Sequence, residues 1–141
     1  AEGHIVNISS VAALRPDSGV YGSTKHAVNC ITGSLRQELM NDTIQVMSVM
    51  PGAVATSFAR NFDPEVLQGL AAVSAVAGEG VDHIVKGERL SDAVLDGALA
   101  AMPDHLCAPE DVADAVLWAV TRPPSVHIPE LVVRPNRDLA L

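Results

Sequence analysis

The sequence predicts an α/β protein whose doubly wound parallel sheet carries helices on both faces. Three short runs of apolar and β-branched residues predict buried strands, at residues 5–9, 44–50 and 131–133. Between them lie longer segments whose apolar residues recur at steps of three and four, which is typical of helices that pack on a sheet. Strands that alternate with helices along the chain favour this architecture. The length of 141 residues is that of a single domain.

Four helices are predicted between these strands. In the first helix, one face carries residues at steps of three and four: Tyr21, Lys25, Val28, Thr32, Leu35 and Leu39. Trp118 lies in an apolar stretch of the last helix and is expected to be in the core. The predicted helices span residues 21–40, 63–77, 91–101 and 108–120, and residues 78–89 are predicted to form a loop.

Composition and charge exclude several classes of function. A formal net charge of −8 makes nucleic acid and anionic lipid improbable partners. No apolar stretch approaches the roughly 20 residues of a membrane-spanning helix, so no membrane role is expected. Cys30 and Cys107 are far apart and form no C-x-x-C pair, and both are expected to be buried free thiols in a reducing cytoplasm. The histidines lack a metal-ligand spacing, so no metal site is predicted.

Three local motifs carry the chemistry of the chain. The first predicted strand ends in Ser9 and Ser10, the first helix begins with a Y-x-x-x-K motif at Tyr21 and Lys25, and Pro51-Gly52 follows the second strand. Each motif alone is common by chance, but their order on strand, helix and strand is not. Tyr21 and Lys25 are one helical turn apart and share a face. A phenol ionises near pH 10 in model peptides, so proton exchange near neutral pH favours a neighbouring cation of this kind.

The three motifs together resemble the classical short-chain dehydrogenase/reductase family, whose fold is a Rossmann-type sheet. The resemblance implies an oxidoreductase that interconverts an alcohol and a carbonyl with NAD or NADP. It implies that Tyr21 exchanges the proton, that Ser10 hydrogen-bonds the substrate oxygen and that Lys25 holds the nicotinamide ribose. The turn after the second strand would meet the nicotinamide and the phosphates. The residues implied to bind the cofactor are Tyr21, Lys25, Pro51, Gly52, Val54 and Thr56.

The same resemblance implies the place of the chain in such an enzyme. Residues 1–141 correspond to the C-terminal catalytic half of a single domain, with a substrate-loop and helix region at about 57–107. The glycine-rich turn and the ribose selector would then lie upstream of Ala1. Gly78-Glu79-Gly80 follows no predicted strand and is rejected as a dinucleotide fingerprint. We therefore expect the isolated chain to be inactive.

Partners are also implied by the resemblance. The helix that bears Tyr21 is similar to one that pairs subunits in this family, and its other face carries the small residues Ala27, Cys30 and Ser34. A homodimer or homotetramer is therefore expected. The apolar character of residues 57–107 indicates either helix packing or a lid over an apolar small-molecule substrate.

Three alternatives remain open at the level of sequence. The loop between Ser10 and Tyr21 is a residue or two shorter than is usual in the family, so Ser9 is a substitute for Ser10 as the substrate contact. The chain also fits a non-enzymatic remnant or dimerisation module that lacks a cofactor site. A sugar-nucleotide epimerase uses Y-x-x-x-K too, but it usually carries a larger C-terminal domain than this chain has room for.

Overall fold

The structure is a computed structural model that describes residues 2–61 and 87–137. Its principal strands and helices follow the predicted order, and two short 3-10 helices are added at Val11–Leu14 and Ser57–Asn61. The predicted helix at 63–77 and most of the predicted loop at 78–89 lie outside the described residues. The elements are β1 (Glu2–Ile8), α1 (Gly19–Glu38), β2 (Thr43–Pro51), α2 (Asp92–Ala101), α3 (Pro109–Val120) and β3 (Glu130–Val133).

The three strands form a parallel sheet in the order β1-β2-β3, which confirms the predicted α/β class. Ile5 pairs with Val46 and Ile8 with Val49, so the carboxyl ends of β1 and β2 lie at one edge of the sheet. Parallel strands need a crossover connection, and α1 supplies it between β1 and β2. Ser10 and Gly52, which follow the two strands, are therefore brought to the same edge.

The side chains of β2 alternate between helices on the two faces of the sheet. Ser48 and Met50 contact α1, whereas Met47 and Val49 form a core cluster with Ala119 of α3. Successive strand residues point to opposite faces, so both layers follow from one apolar strand. The partly buried residues that complete the cluster are Val6, Val112, Val116, Val120, Ile128 and Leu131.

The chain divides into two compact units. The first comprises residues 1–52 and 110–133, and the second comprises residues 53–109 and 134–141. In the second unit, Val54 forms a parallel bridge with Cys107, whose N–H donates to the Ala53 carbonyl and whose carbonyl accepts from Ala55 N–H, both at 3.0 Å. This short ladder fixes the backbone just after Gly52.

Two predictions about burial are wrong. Trp118 is 50% exposed, because it lies off the face of α3 that packs on the core through Val116 and Ala119. The Arg122 guanidinium lies over its ring, 4.8 Å from the ring centroid. Cys30 is exposed on α1, whereas Cys107 is buried as predicted, and neither cysteine forms a disulfide in the described parts of the chain. None of the helices in the described segments is long and apolar enough to cross a membrane.

Candidate active site

Tyr21 and Lys25 lie on one face of the first turns of α1. The ammonium nitrogen of Lys25 is 5.8 Å from the centroid of the Tyr21 ring, and Tyr21 is 41% exposed while Lys25 is half-buried. A cation at this distance from an aromatic ring is attracted by the ring face. The helix thus presents a phenol and an ammonium group together.

Lys25 is tethered to the end of β1 by two reciprocal hydrogen bonds. Its ammonium group donates to the carbonyl of Ile8 at 3.2 Å, and the hydroxyl of Ser9 donates to the carbonyl of Lys25 at 3.0 Å. One bond fixes the tip of the side chain and the other fixes the backbone of its helical turn. An ammonium has three donors, and among the residues that the structure describes the bond to Ile8 uses one of them, so two can serve a hydroxyl-bearing ligand.

The two serines are placed differently, and the difference separates their roles. The single hydroxyl hydrogen of Ser9 is committed to Lys25, and the residue is 3% exposed. Ser10 is the N-cap of the 3-10 helix, where its oxygen accepts from the N–H of Ala12 at 3.1 Å. Within residues 2–61 and 87–137, no acceptor takes the hydroxyl hydrogen of Ser10. The geometry therefore favours Ser10 over Ser9 as a donor to a substrate oxygen.

The short loop between Ser10 and α1 is closed by Ser18. Its hydroxyl lies 2.5 Å from the Ala12 carbonyl and 2.7 Å from the Arg15 carbonyl, so both acceptors share one donor. Gly19 begins α1 with φ +59°, a conformation that favours glycine. The loop thereby turns into the helix within few residues, which fits its shortness.

Gly22 allows this loop to lie directly against α1. The residue is buried, and a Cβ at this position would overlap the Ser18 side chain and approach the Ala12 carbonyl to 2.9 Å. Glycine is thus required next to Tyr21, although no role beyond the motif was predicted for this residue. Closer to solvent, hydrogen bonds from Arg15 hold the pKa of the Asp17 carboxyl below its usual range.

Pro51 and Gly52 end β2 at the same edge as Ser10. The N–H of Gly52 donates to the carbonyl of Val133 at 2.8 Å, and Pro51 pairs with Val133 in the sheet. The turn after the strand is thereby anchored to β3. Its backbone position is set by the sheet and not by the side chains of the turn.

Val54 and Thr56 belong to the second compact unit. The N–H of Thr56 donates to the Val54 carbonyl at 2.8 Å, and its hydroxyl accepts from the N–H of Phe58 at 3.3 Å. Thr56 therefore starts the 3-10 helix at Ser57–Asn61. No cluster of three potential metal ligands is found in the described parts of the chain.

A polar contact that the motifs did not reveal lies beside the pair. Asn29, one turn after Lys25, bonds to Ser48 and Met50 of β2. A helical spacing of four residues from Lys25 was the only available signal, and the partners are about 20 residues away in sequence. The bonds depend on how α1 lies over the sheet.

Comparison with known proteins shows similarity to oxidoreductases. Residues 1–66 match the family model of the short chain dehydrogenases. Over 137 residues the chain is 32% identical to an uncharacterized oxidoreductase of Staphylococcus epidermidis, and over 140 residues it is 31% identical to the farnesol dehydrogenase of Aedes aegypti. These alignments cover 96% and 95% of the chain but only 44% and 42% of the relatives, so the chain spans less than half of their length.

Among solved structures, the chain is similar to serine dehydrogenase. The closed form of that enzyme complexed with NADP+ has a TM-score of 0.63 at 27% identity, covering 97% of this chain and 46% of the other. The Escherichia coli serine dehydrogenase has a TM-score of 0.54 at 27% identity, covering 94% and 39%. The sequence motifs, the parallel sheet and the comparisons thus indicate the same family, and the alignments cover nearly the whole chain.

Proposed function

Because this chain belongs to the short-chain dehydrogenase/reductase family, we propose that it supplies the proton-transfer machinery of an oxidoreductase that interconverts an alcohol and a carbonyl. The observation that carries the proposal is the placement of Tyr21 and Lys25, with the ammonium 5.8 Å from the ring centroid and tied to Ile8. The serine dehydrogenase structure with NADP+ supports a nicotinamide dinucleotide as the cofactor. NAD and NADP are both compatible with the described residues.

The residues of the chain divide the work as follows. Tyr21 takes the hydroxyl proton of an alcohol, or returns it to a carbonyl oxygen in the reverse direction. Ser10 donates its hydroxyl hydrogen to that oxygen. This breaks no existing hydrogen bond in the part of the chain that the structure describes, because the Ser10 hydroxyl oxygen only accepts there, from the N–H of Ala12. Lys25 holds its ammonium group beside the Tyr21 ring and offers N–H donors to the ribose hydroxyls. When bound, the nicotinamide accepts or supplies the hydride directly at the substrate carbon.

The backbone after β2 completes the proposed cofactor site. Pro51 and Gly52 are held by β3 at the carboxyl end of the sheet, where open α/β sheets bind ligands. Val54 and Thr56 follow within the ladder to Cys107, and we assign them to the nicotinamide carboxamide and a phosphate. In these roles the turn would orient the nicotinamide ring, and Tyr21 would transfer the proton.

We assign residues 1–141 to the catalytic half of one Rossmann-type domain, with the substrate region at about 57–107. The share of the relatives that the chain covers supports this assignment. Phe58, at the start of that region, is 51% exposed, which fits an apolar substrate. The other apolar residues proposed to line this region all lie outside the described residues: Phe62, Leu67, Leu70, Val73, Val76, Val81, Ile84 and Val85.

A second copy of the chain is the partner we propose for α1. Ala27, Cys30 and Ser34 are exposed on the helix, and Ile31 beside them is 62% exposed. Small residues allow two helices to approach closely, so the full-length protein is expected to be a homodimer or homotetramer. Light scattering after size exclusion measures this directly. Cysteines outside any disulfide, as Cys30 and Cys107 are in the described residues, fit a reducing cytoplasm.

The proposal is tested with the full-length protein and its Tyr21→Phe variant. NADPH and NADH are titrated by nicotinamide fluorescence, and farnesol and serine, named for the relatives, are assayed with NADP+ and NAD+. We expect both proteins to bind one dinucleotide with similar Kd and Tyr21→Phe to lose about 100-fold or more in kcat. Failure of the unmodified protein to bind either dinucleotide would leave the non-enzymatic module as the function.

A further inference from the structure

Asn29 joins α1 to β2 through both groups of its side-chain amide. Its Oδ1 accepts a hydrogen bond from the Ser48 hydroxyl at 2.8 Å, and its Nδ2 donates to the Met50 sulfur at 3.4 Å. Ser48 and Met50 are two residues apart on β2 and face the same side of the sheet. An amide held at both its acceptor and its donor has one permitted orientation.

The strand partners of Asn29 are fully enclosed. Ser48 is 1% exposed and Met50 is 2% exposed, whereas Asn29 itself is half-buried. A buried hydroxyl without a partner is costly, so the Ser48 bond penalises any other placement of α1 on the sheet. The contact thus specifies the register between helix and strand beyond what apolar packing would specify.

The residues of this contact lie next to proposed functional residues on both the helix and the strand. On the helix, Asn29 follows Lys25 by one turn, and that turn is already tied to β1 by the Ser9 hydroxyl. On the strand, Met50 immediately precedes Pro51 and the anchored turn. One side-chain amide therefore spans the helix that carries the acid/base pair and the strand that carries the proposed nicotinamide turn.

We propose that Asn29 is a positioning residue for hydride transfer, an inference that rests on the proposed function. It keeps the turn of Lys25 at a fixed distance from the end of β2, so that the substrate oxygen at Tyr21 and the nicotinamide at Pro51-Gly52 meet in the reactive geometry. Such geometry is sensitive, since a displacement of about 1 Å can cost about 100-fold in rate. Asn29 acts through Ser48 and Met50 and touches no reacting atom.

The test is a double-mutant cycle in the full-length protein. Asn29→Ala and Ser48→Ala are each expected to lower kcat about tenfold for farnesol oxidation with NADP+, with a smaller change in the KM of the dinucleotide. The double variant is expected to be no slower than either single variant, because both remove the same contact. The emission of bound NADPH and NADH is expected to change in the variants, since the ring environment moves.

Thr32→Val is the matched control for the loss of a buried polar contact. Thr32 lies one turn further along α1, is 0% exposed, and accepts from the Asn7 side chain at 2.9 Å. Its replacement weakens the same helix–sheet interface at a point away from Pro51-Gly52. We expect kcat and dinucleotide emission within twofold of the unmodified protein, although Tm falls.

The outcomes separate the two proposals. The positioning role would be overturned if Asn29→Ala and Thr32→Val, at a similar loss of Tm, changed kcat and dinucleotide emission equally. It would also be overturned if the effects of Asn29→Ala and Ser48→Ala on kcat multiplied in the double variant. If Asn29→Ala does not fold, Ser48→Ala is compared with Thr32→Val in its place. Tyr21→Phe in the same assays tests the proposed function. If this variant retains turnover, or if no dinucleotide binds, both proposals fail. If Tyr21→Phe is inactive and Asn29→Ala has normal kcat and emission, the positioning role alone is refuted.

Discussion

Thr32→Val tests how α1 is held on the sheet. The Thr32 hydroxyl donates to the Val28 carbonyl at 2.7 Å and accepts from the Asn7 amide at 2.9 Å, and the residue is 0% exposed. Valine has nearly the same shape, so the substitution removes hydrogen bonds without opening a cavity. The Val28 carbonyl keeps its bond within the helix, whereas the Asn7 amide loses its partner.

The expected cost follows from these contacts. A typical hydrogen bond contributes about 1 kcal/mol, and a buried donor left unpaired costs about 1–3 kcal/mol. Asn7 is half-buried, so water partly replaces the lost acceptor, and the new methyl group gains about 0.8 kcal/mol. We expect a net loss of about 1–2 kcal/mol. In a domain of about 150–250 residues this lowers Tm by about 2–8 °C.

The assay is thermal unfolding of the full-length protein followed by circular dichroism. The matched control is the double variant Asn7→Leu with Thr32→Val, because replacing both partners by apolar groups of similar shape is close to neutral. We expect the double variant to recover most of the lost Tm. An unchanged Tm in Thr32→Val, or a double variant less stable than Thr32→Val alone, would refute the reasoning.

Three further predictions concern the loop and the far end of α1. Ser10→Ala is expected to lower kcat about 100-fold at constant dinucleotide Kd, and Ser9→Ala less than about tenfold, as measured by steady-state kinetics and fluorescence titration; equal losses would contradict the assignment of the two serines. Gly22→Ala is expected to destabilise the protein by about 1–3 kcal/mol in thermal unfolding, because the new Cβ overlaps the Ser18 side chain. Arg36→Met removes two charge-assisted bonds to backbone carbonyls, of 3.0 and 2.8 Å, and should cost about 2–3 kcal/mol in urea unfolding with kcat unchanged.

The fold class and the placement of Tyr21 and Lys25 on one helical face could be predicted because both are local patterns. The runs at β1 and β2 are apolar over whole strands, and this suffices to predict strands buried on two faces. Tyr21 and Lys25 are four residues apart, so any helix over that stretch brings them to one face. Burial at the ends of elements was less predictable, as Trp118 shows: an apolar stretch in α3 does not say which of its residues faces the sheet.

Tertiary structure alone decided which serine has a hydroxyl hydrogen to offer and what holds α1 in place. Ser9 and Ser10 are adjacent and chemically identical, and only the approach of the Lys25 carbonyl commits one of them. Asn29 and Arg36 lie on the same helix, and their partners are 10 to 93 residues away. Periodicity in the sequence indicates which face of a helix turns inward, but a hydrogen bond depends on angstrom-scale placement of two distant segments, which only the folded chain sets.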